Sequence, residues 1–158
     1  MALSDSDRKL LDAAVAQARK SAREGGIPIG AALGDADGVV VSLGHNERVQ
    51  TGDPTAHAET VCIRRAGRRT DWHTLTLATT LSPCVMCTGA ALLHRIPRVV
   101  IGERDTFRGE EDLLSERGVE IAMADDQRCK DLMRDFILRF PKLWDEDIGV
   151  PGDAGGGG

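Results

Sequence analysis

The six residues Ser82-Pro83-Cys84-Val85-Met86-Cys87 constrain this chain more than any other stretch. Residues 74–79 before them alternate on a β-branched background and read as a strand, while residues 83–94 have the composition of a helix. A strand, a proline and a helix in that order put two thiols on one face of a first helical turn, because residues three apart are neighbours there. Proline suits the first helical position, where its missing amide hydrogen would be unpaired anyway. Free amides and the positive helix end favour thiolate, the form that binds metal. Two sulfurs do not close a metal site, so further ligands are sought upstream, at His57-Ala58-Glu59.

Residues 4–23 open with capping residues and carry Leu10, Leu11, Ala14, Val15 and Ala18 at helical spacing, up to Gly25-Gly26. Residues 27–33 and 39–43 read as a hairpin around the turn 34–38, with Pro28 at an edge strand or at the beginning of its strand. Residues 44–54 are polar and read as a loop, a common place for binding residues. Residues 56–66 form a helix with Thr55 as its cap, and residues 98–102 and 119–123 are strands flanking a helical turn at 113–117. A closing helix at 126–140 presents Leu132, Phe136, Ile137 and Phe140 on its apolar side and stops at Pro141. The order α-β-β-α-β-α-β-(α)-β-α, with strands joined through helices, predicts an α/β fold: a three-layer α/β/α sandwich around a five-stranded mixed sheet. Residues 1–150 are expected to form a single domain, followed at 151–158 by a flexible glycine-rich tail.

Composition excludes several classes of function. A formal net charge of -5 argues against a surface that collects phosphate all over. Aromatic residues are 3% of the chain with no Tyr, too few for a base-stacking platform on single strands. Four cysteines, two of them within one helical turn, suit metal chemistry in a reducing compartment better than a disulfide framework. With no basic signal region, and no apolar run near the roughly 20 residues of a membrane span, the expectation is a cytoplasmic protein.

A catalytic zinc commonly keeps three protein ligands and one open position for water. His57, Cys84 and Cys87 supply three, and a neutral imidazole with two thiolates balances the divalent charge. In the first turn of its helix His57 can reach the metal while Glu59 stays free to move protons. The pairing of His-x-Glu with Pro-Cys-x-x-Cys is the signature of zinc-dependent nucleobase deaminases. Such chemistry needs hydroxide near neutral pH, and zinc lowers the pKa of bound water to about 7. A redox reading of the cysteine pair has no use for His57 or Glu59. Cys62 and Cys129 read as small buried apolar residues.

Beyond this signature the chain resembles the fungal-type cytosine deaminases of the cytidine deaminase superfamily. The resemblance rests on Glu24-Gly25-Gly26-Ile27-Pro28-Ile29-Gly30, Gly44-His45-Asn46, the run from Thr79 through Cys87 to Ala90, and Trp144-Asp145-Glu146-Asp147-Ile148-Gly149. It implies a homodimer holding one zinc ion per chain and acting on a small nucleobase. It also implies that Asn46 bonds the ring's amide edge and that the backbone amide of Ala58 meets the substrate carbonyl. The Ser82 carbonyl and Asp147 would receive the amine, the Cys84 amide would steady the zinc hydroxide, and Phe107 and Trp144 would close over the ring. Residue 58 is alanine where the fungal pattern has glycine, which sets a methyl group beside the pocket. Cytosine, isocytosine and an amino-triazine are the candidate substrates, with guanine or tRNA adenosine deamination as the alternative. The nucleic-acid reading rests on Arg64, Arg65, Arg68 and Arg69, which read first as a solvated face at a helix end. His45, His73 and His94 read as structural or surface residues.

Overall fold

Small side chains decide how closely the layers of this protein meet. The computed structural model describes residues 2–152. Its sheet contains β1 (Gly30–Gly34), β2 (Val40–His45), β3 (Thr76–Leu81), β4 (Arg98–Glu103) and β5 (Glu120–Met123), in the order β2-β1-β3-β4-β5. β1 is antiparallel to β2 and β3, whereas β3, β4 and β5 run parallel. Parallel neighbours need crossovers, and α4 (Val85–Leu93) and α5 (Glu111–Glu116) provide them. The remaining helices are α1 (Asp5–Arg23), α2 (Arg48–Thr51), α3 (Ala58–Ala66), α6 (Gln127–Arg139) and α7 (Pro141–Asp147).

Ala32, Ala78, Val100 and Ala122 are register partners across four strands and form one face of the sheet. They pack with Leu10, Leu11, Ala14 and Val15 of α1 and with Cys129 of α6. On the opposite face Leu33, Leu77 and Val99 meet Ala58 and Cys62 of α3, Ala91 of α4 and Leu114 of α5. The result is the three-layer α/β/α arrangement around a mixed sheet that the sequence predicts. Two glycines bring helices onto strands without a gap. A Cβ at Gly30 would lie 2.0 Å from the Ala14 carbonyl oxygen, and one at Gly44 would lie 2.5 Å from the Ala58 carbonyl oxygen. The second contact seats the first turn of α3, with Glu59 on it, against β2.

The structure departs from the sequence expectations at element ends. The predicted first strand begins at Gly30, so Pro28 lies before it, and β1 is interior, which removes the edge-strand option. α3 is capped by His57 and not Thr55, whose hydroxyl bonds Asp53 instead. α4 is capped by Cys84, leaving Pro83 outside, because the Pro83 carbonyl accepts the Glu110 amide. Pro141 does stop α6, but it also starts α7, and α2 interrupts the expected loop 44–54. On α6 the buried positions are Cys129, Met133 and Phe136, while Phe140 is exposed. The predicted tail from residue 153 onward lies outside the described residues.

Asp7 ties two layers together. It completes a capping box with Ser4 and accepts Arg98 Nε at 3.0 Å and Arg98 Nη2 at 2.6 Å, linking α1 to β4. Burial opposes its charge, but the Arg98 and Ser4 hydrogen bonds outweigh burial and hold the carboxyl below its ordinary value. A depressed carboxyl contributes stability above its unfolded pKa and loses it as pH falls through the folded one. Asp7→Asn is therefore expected to cost about 2 kcal/mol at neutral pH, the scale of a hydrogen bond to a charged group. Urea unfolding should show that difference shrinking below pH ~4.

Candidate active site

Two helix N-termini carry the ligand-bearing residues. His57 caps α3 and Cys84 caps α4, both with extended backbone, and neither side chain bonds the amides of its own helix. Both are thus free to point at each other, and His57 Nδ1 lies 3.5 Å from Cys84 Sγ. Cys87, one turn into α4 and fully buried, completes the group. Ligand atoms of His57, Cys84 and Cys87 lie within 4.8 Å of one another. One imidazole and two sulfurs match a three-ligand zinc centre that keeps an open position. His57 Nε2 faces Asp147 Oδ1 at 3.4 Å, so a carboxylate orients the ring from behind, as is usual for metal-bound histidine.

The charges of the free site follow from these contacts. The Cys87 thiol hydrogen bond, opposed by burial and helped by His57, lowers the Cys84 thiol to about 4. Cys87 moves the other way, held protonated by the Cys84 sulfur it donates to and by burial. Burial disfavours charge on His57, but Cys84 and Asp147 overcome it and raise the ring to about 9. Glu59 is buried, and burial together with the charge on Cys84 raises its carboxyl above the usual range. Its Oε1 lies 3.2 Å from the hydroxyl of Thr79, which is fully buried on β3.

A small cavity opens beside this group. His57, Glu59 and Cys84 line it, together with Asn46, Ala58, Ser82, Phe107, Trp144 and Asp147, so every predicted substrate-contacting residue reaches the same space. Asn46 is fully buried; its Oδ1 accepts the Arg48 amide at 2.9 Å and its Nδ2 donates to Asp147 Oδ1 at 3.0 Å. Phe107 and Trp144 meet edge to face with ring centroids 6.2 Å apart. Asp147 is pushed up by burial, against the pull of His57 and Asn46. Sequence reasoning missed Thr79 and the apolar walls Ile29, Leu81 and Ile148. The walls resemble any core residue in type. Thr79 and Leu81 sit just before the cysteine turn, and that proximity was the available signal.

The remaining candidates fall outside this space. His45 is buried between Glu24 Oε1 at 2.7 Å and Gln17 Oε1 at 3.2 Å, which suits a structural role. Arg65 pairs with Glu47, Arg64 faces Glu47 and Asp53, and Arg69 forks onto Asp71. A broad hollow between the ends of α3 and α4, lined by Arg64, Arg68 and His94, lies open to solvent. Its lining includes none of the metal-binding group, nor Glu59.

A family model described as the cytidine and deoxycytidylate deaminase zinc-binding region matches residues 4–103. A cytosine deaminase of Candida albicans is 48% identical over 145 residues, covering 90% of this chain and 97% of its own length. A tRNA-specific adenosine deaminase of Haemophilus influenzae is 39% identical over 109 residues, 67% of this chain and 63% of its own. The solved structure of a guanine deaminase from Nitrosomonas europaea superposes with a TM-score of 0.69 at 23% identity, covering 86% of each chain, and so shares the fold.

Metal uptake should carry a proton signature. With His57 raised to about 9 and Cys84 lowered to about 4, the free site at neutral pH holds protons on His57 and Cys87 and a thiolate on Cys84. Ligands bind metal deprotonated, so zinc binding is expected to release about two protons, and affinity to fall as pH falls. Titration calorimetry in buffers of different ionisation heat measures that number directly.

Proposed function

The chain belongs to the cytidine and deoxycytidylate deaminases with a zinc-binding region, and from that membership we propose that it deaminates a free pyrimidine-type nucleobase. Cytosine, giving uracil and ammonia, is the first candidate; isocytosine and amino-triazines offer the same amidine within a single ring. The observation that carries this reading is enclosure. Trp144 of α7 and Phe107 close over the small cavity that His57, Glu59 and Cys84 line. A single ring suits that space, whereas a polynucleotide requires α7 to withdraw. The relative named for cytosine also aligns over more of this chain than the tRNA-specific one.

His57, Cys84 and Cys87 would hold a zinc ion, which would supply a water acidic enough to act as nucleophile near neutral pH. Glu59 takes a proton from that water and passes protons to the ring nitrogen and then to the departing amine. A C–O bond forms and the exocyclic C–N bond breaks; one water proton stays on the ring nitrogen of the product and the other leaves on ammonia. The raised proton affinity of Glu59 suits this two-way traffic. Asn46, its carbonyl oxygen engaged by the Arg48 amide, presents its NH₂ group to the ring's amide edge. The Ala58 amide meets the substrate carbonyl, the Cys84 amide donates to the attacking water, and the Ser82 carbonyl and Asp147 receive the amine. Phe107 and Trp144 cover the ring.

In this reading residues 1–150 work as one cytoplasmic catalytic domain and pair as a homodimer. No described helix is long and apolar enough to cross a membrane. α4 supports the pairing, because Val85, Gly89 and Leu93 form an exposed stripe at helical spacing, with Leu93 78% exposed. A second copy covering that stripe would bury it. Leu93→Glu is expected to shift the protein from dimer to monomer in sedimentation.

Ammonia release from cytosine, isocytosine, 5-azacytosine, guanine and a tRNA anticodon stem-loop tests the activity. Turnover of a single-ring base is expected, with Glu59→Gln retaining fold and zinc but losing at least ~10² in rate, the lower range for a general acid-base group. Activity on the stem-loop alone would transfer the function to nucleic acid, and full activity of Glu59→Gln would remove Glu59 from the mechanism.

A further inference from the structure

We propose that Glu103 is a positioning residue for substrate binding, acting through the loop 104–110 to hold Phe107 over the cavity. The last residue of β4, Glu103 is completely buried. Acids are seldom buried without a partner. Among the described residues no cation pairs with this one: Oε2 accepts the Thr106 amide at 2.9 Å, and Oε1 has no hydrogen-bond partner. A carboxylate so placed costs stability relative to an apolar side chain of similar size. Its use is therefore geometric.

The geometry is that of a closed loop whose two ends are fastened to one turn. At the first end the Glu103 carbonyl accepts the Ser82 amide at 2.9 Å. At the other, Gly109 donates its amide to Ser82 Oγ at 2.9 Å, and Glu110 donates to the Pro83 carbonyl at 3.0 Å. Contact there is close enough that a Cβ on Gly109 would lie 1.8 Å from the Pro83 oxygen. The anchoring turn, Ser82-Pro83, leads directly into Cys84. Between the two ends, Arg104, Asp105 and Arg108 are exposed, while Phe107 turns inward to the cavity. The Thr106 amide, one residue before Phe107, is the backbone donor that the Glu103 carboxylate takes. Lys130 reaches Asp105 at 2.7 Å, but that tether is solvent-exposed and correspondingly weak. The buried carboxylate thus sets where the chain turns into Phe107, while the Ser82 hydroxyl fixes the loop's return.

Phe107 borders the ring and not the reacting atoms, so displacing it removes binding common to substrate and transition state. Such a loss raises KM and leaves kcat in place. This expectation rests on the deaminase reading above; the position of the loop does not.

The test compares zinc-loaded wild type, Glu103→Leu and Glu103→Gln by steady-state kinetics on the preferred base and by amide hydrogen exchange of residues 104–110. Glu103→Leu should raise KM by about tenfold, the scale of leaving one buried donor without its hydrogen bond, and speed loop exchange comparably. Its kcat should stay within about threefold. Glu103→Gln keeps a carbonyl acceptor for Thr106 and should restore both KM and exchange. A Leu variant matching wild type in KM and exchange, or a Gln variant as impaired as Leu, would overturn the proposal. So would a fall in kcat at unchanged KM. Should Glu103→Leu fail to fold, Thr106→Pro removes the same bond from the donor side and carries the same comparison. If wild type turns over no base, the deaminase reading fails, while the exchange measurement still decides the role of Glu103.

Discussion

Two helix N-caps turned away from their own helices organise this molecule. His57 and Cys84 each occupy the position where a side chain ordinarily satisfies the helix's free amides, and each reaches across to the other instead. The close seating of α3 on β2 at Gly44 and the parallel pairing of β3 with β4 hold the two caps in register. Cys87 and Glu59 follow within the first turns. The site is therefore built on helices and strands, and its precision comes from the packing of the sheet.

Around that core the polar groups constrain one another. Asp147 receives Asn46 and faces His57, so one carboxylate fixes both side chains at the cavity wall. Because Asp147 ends α7, the same contact brings Trp144 over the cavity. Opposite it, the loop bearing Phe107 is stitched to the turn that leads into Cys84. The metal-binding group, Asn46 and the two aromatic rings are thus mechanically joined through Ser82-Pro83-Cys84 on one side and Asp147 on the other.

Local chemistry explains what was legible in the sequence. The layer order followed from strand and helix periodicity, and the metal group from residue types whose spacing has few other uses. Element ends were less legible because several groups compete for each cap. Thr55 is a good N-cap by composition, yet Asp53 takes its hydroxyl; Pro83 suits a first helical position, yet the Glu110 amide takes its carbonyl. α7 was missed because proline both ends one helix and begins another, and only the packing of Trp144 and Leu143 on the core shows that the chain resumes.

By itself the sequence determined the sheet and its layers, the ligands His57, Cys84 and Cys87 as a set, and Glu59 as the free carboxylate beside them. It could do so because periodicity and ligand spacing are properties of neighbours along the chain. Tertiary structure alone decided that Thr79 supports Glu59, that Ile29, Leu81 and Ile148 wall the cavity, and that Glu103 sits buried beneath the Phe107 loop with one oxygen unpartnered. Those roles come from contacts between residues tens of positions apart, or from which groups burial leaves without a partner, and neither is written in local residue type.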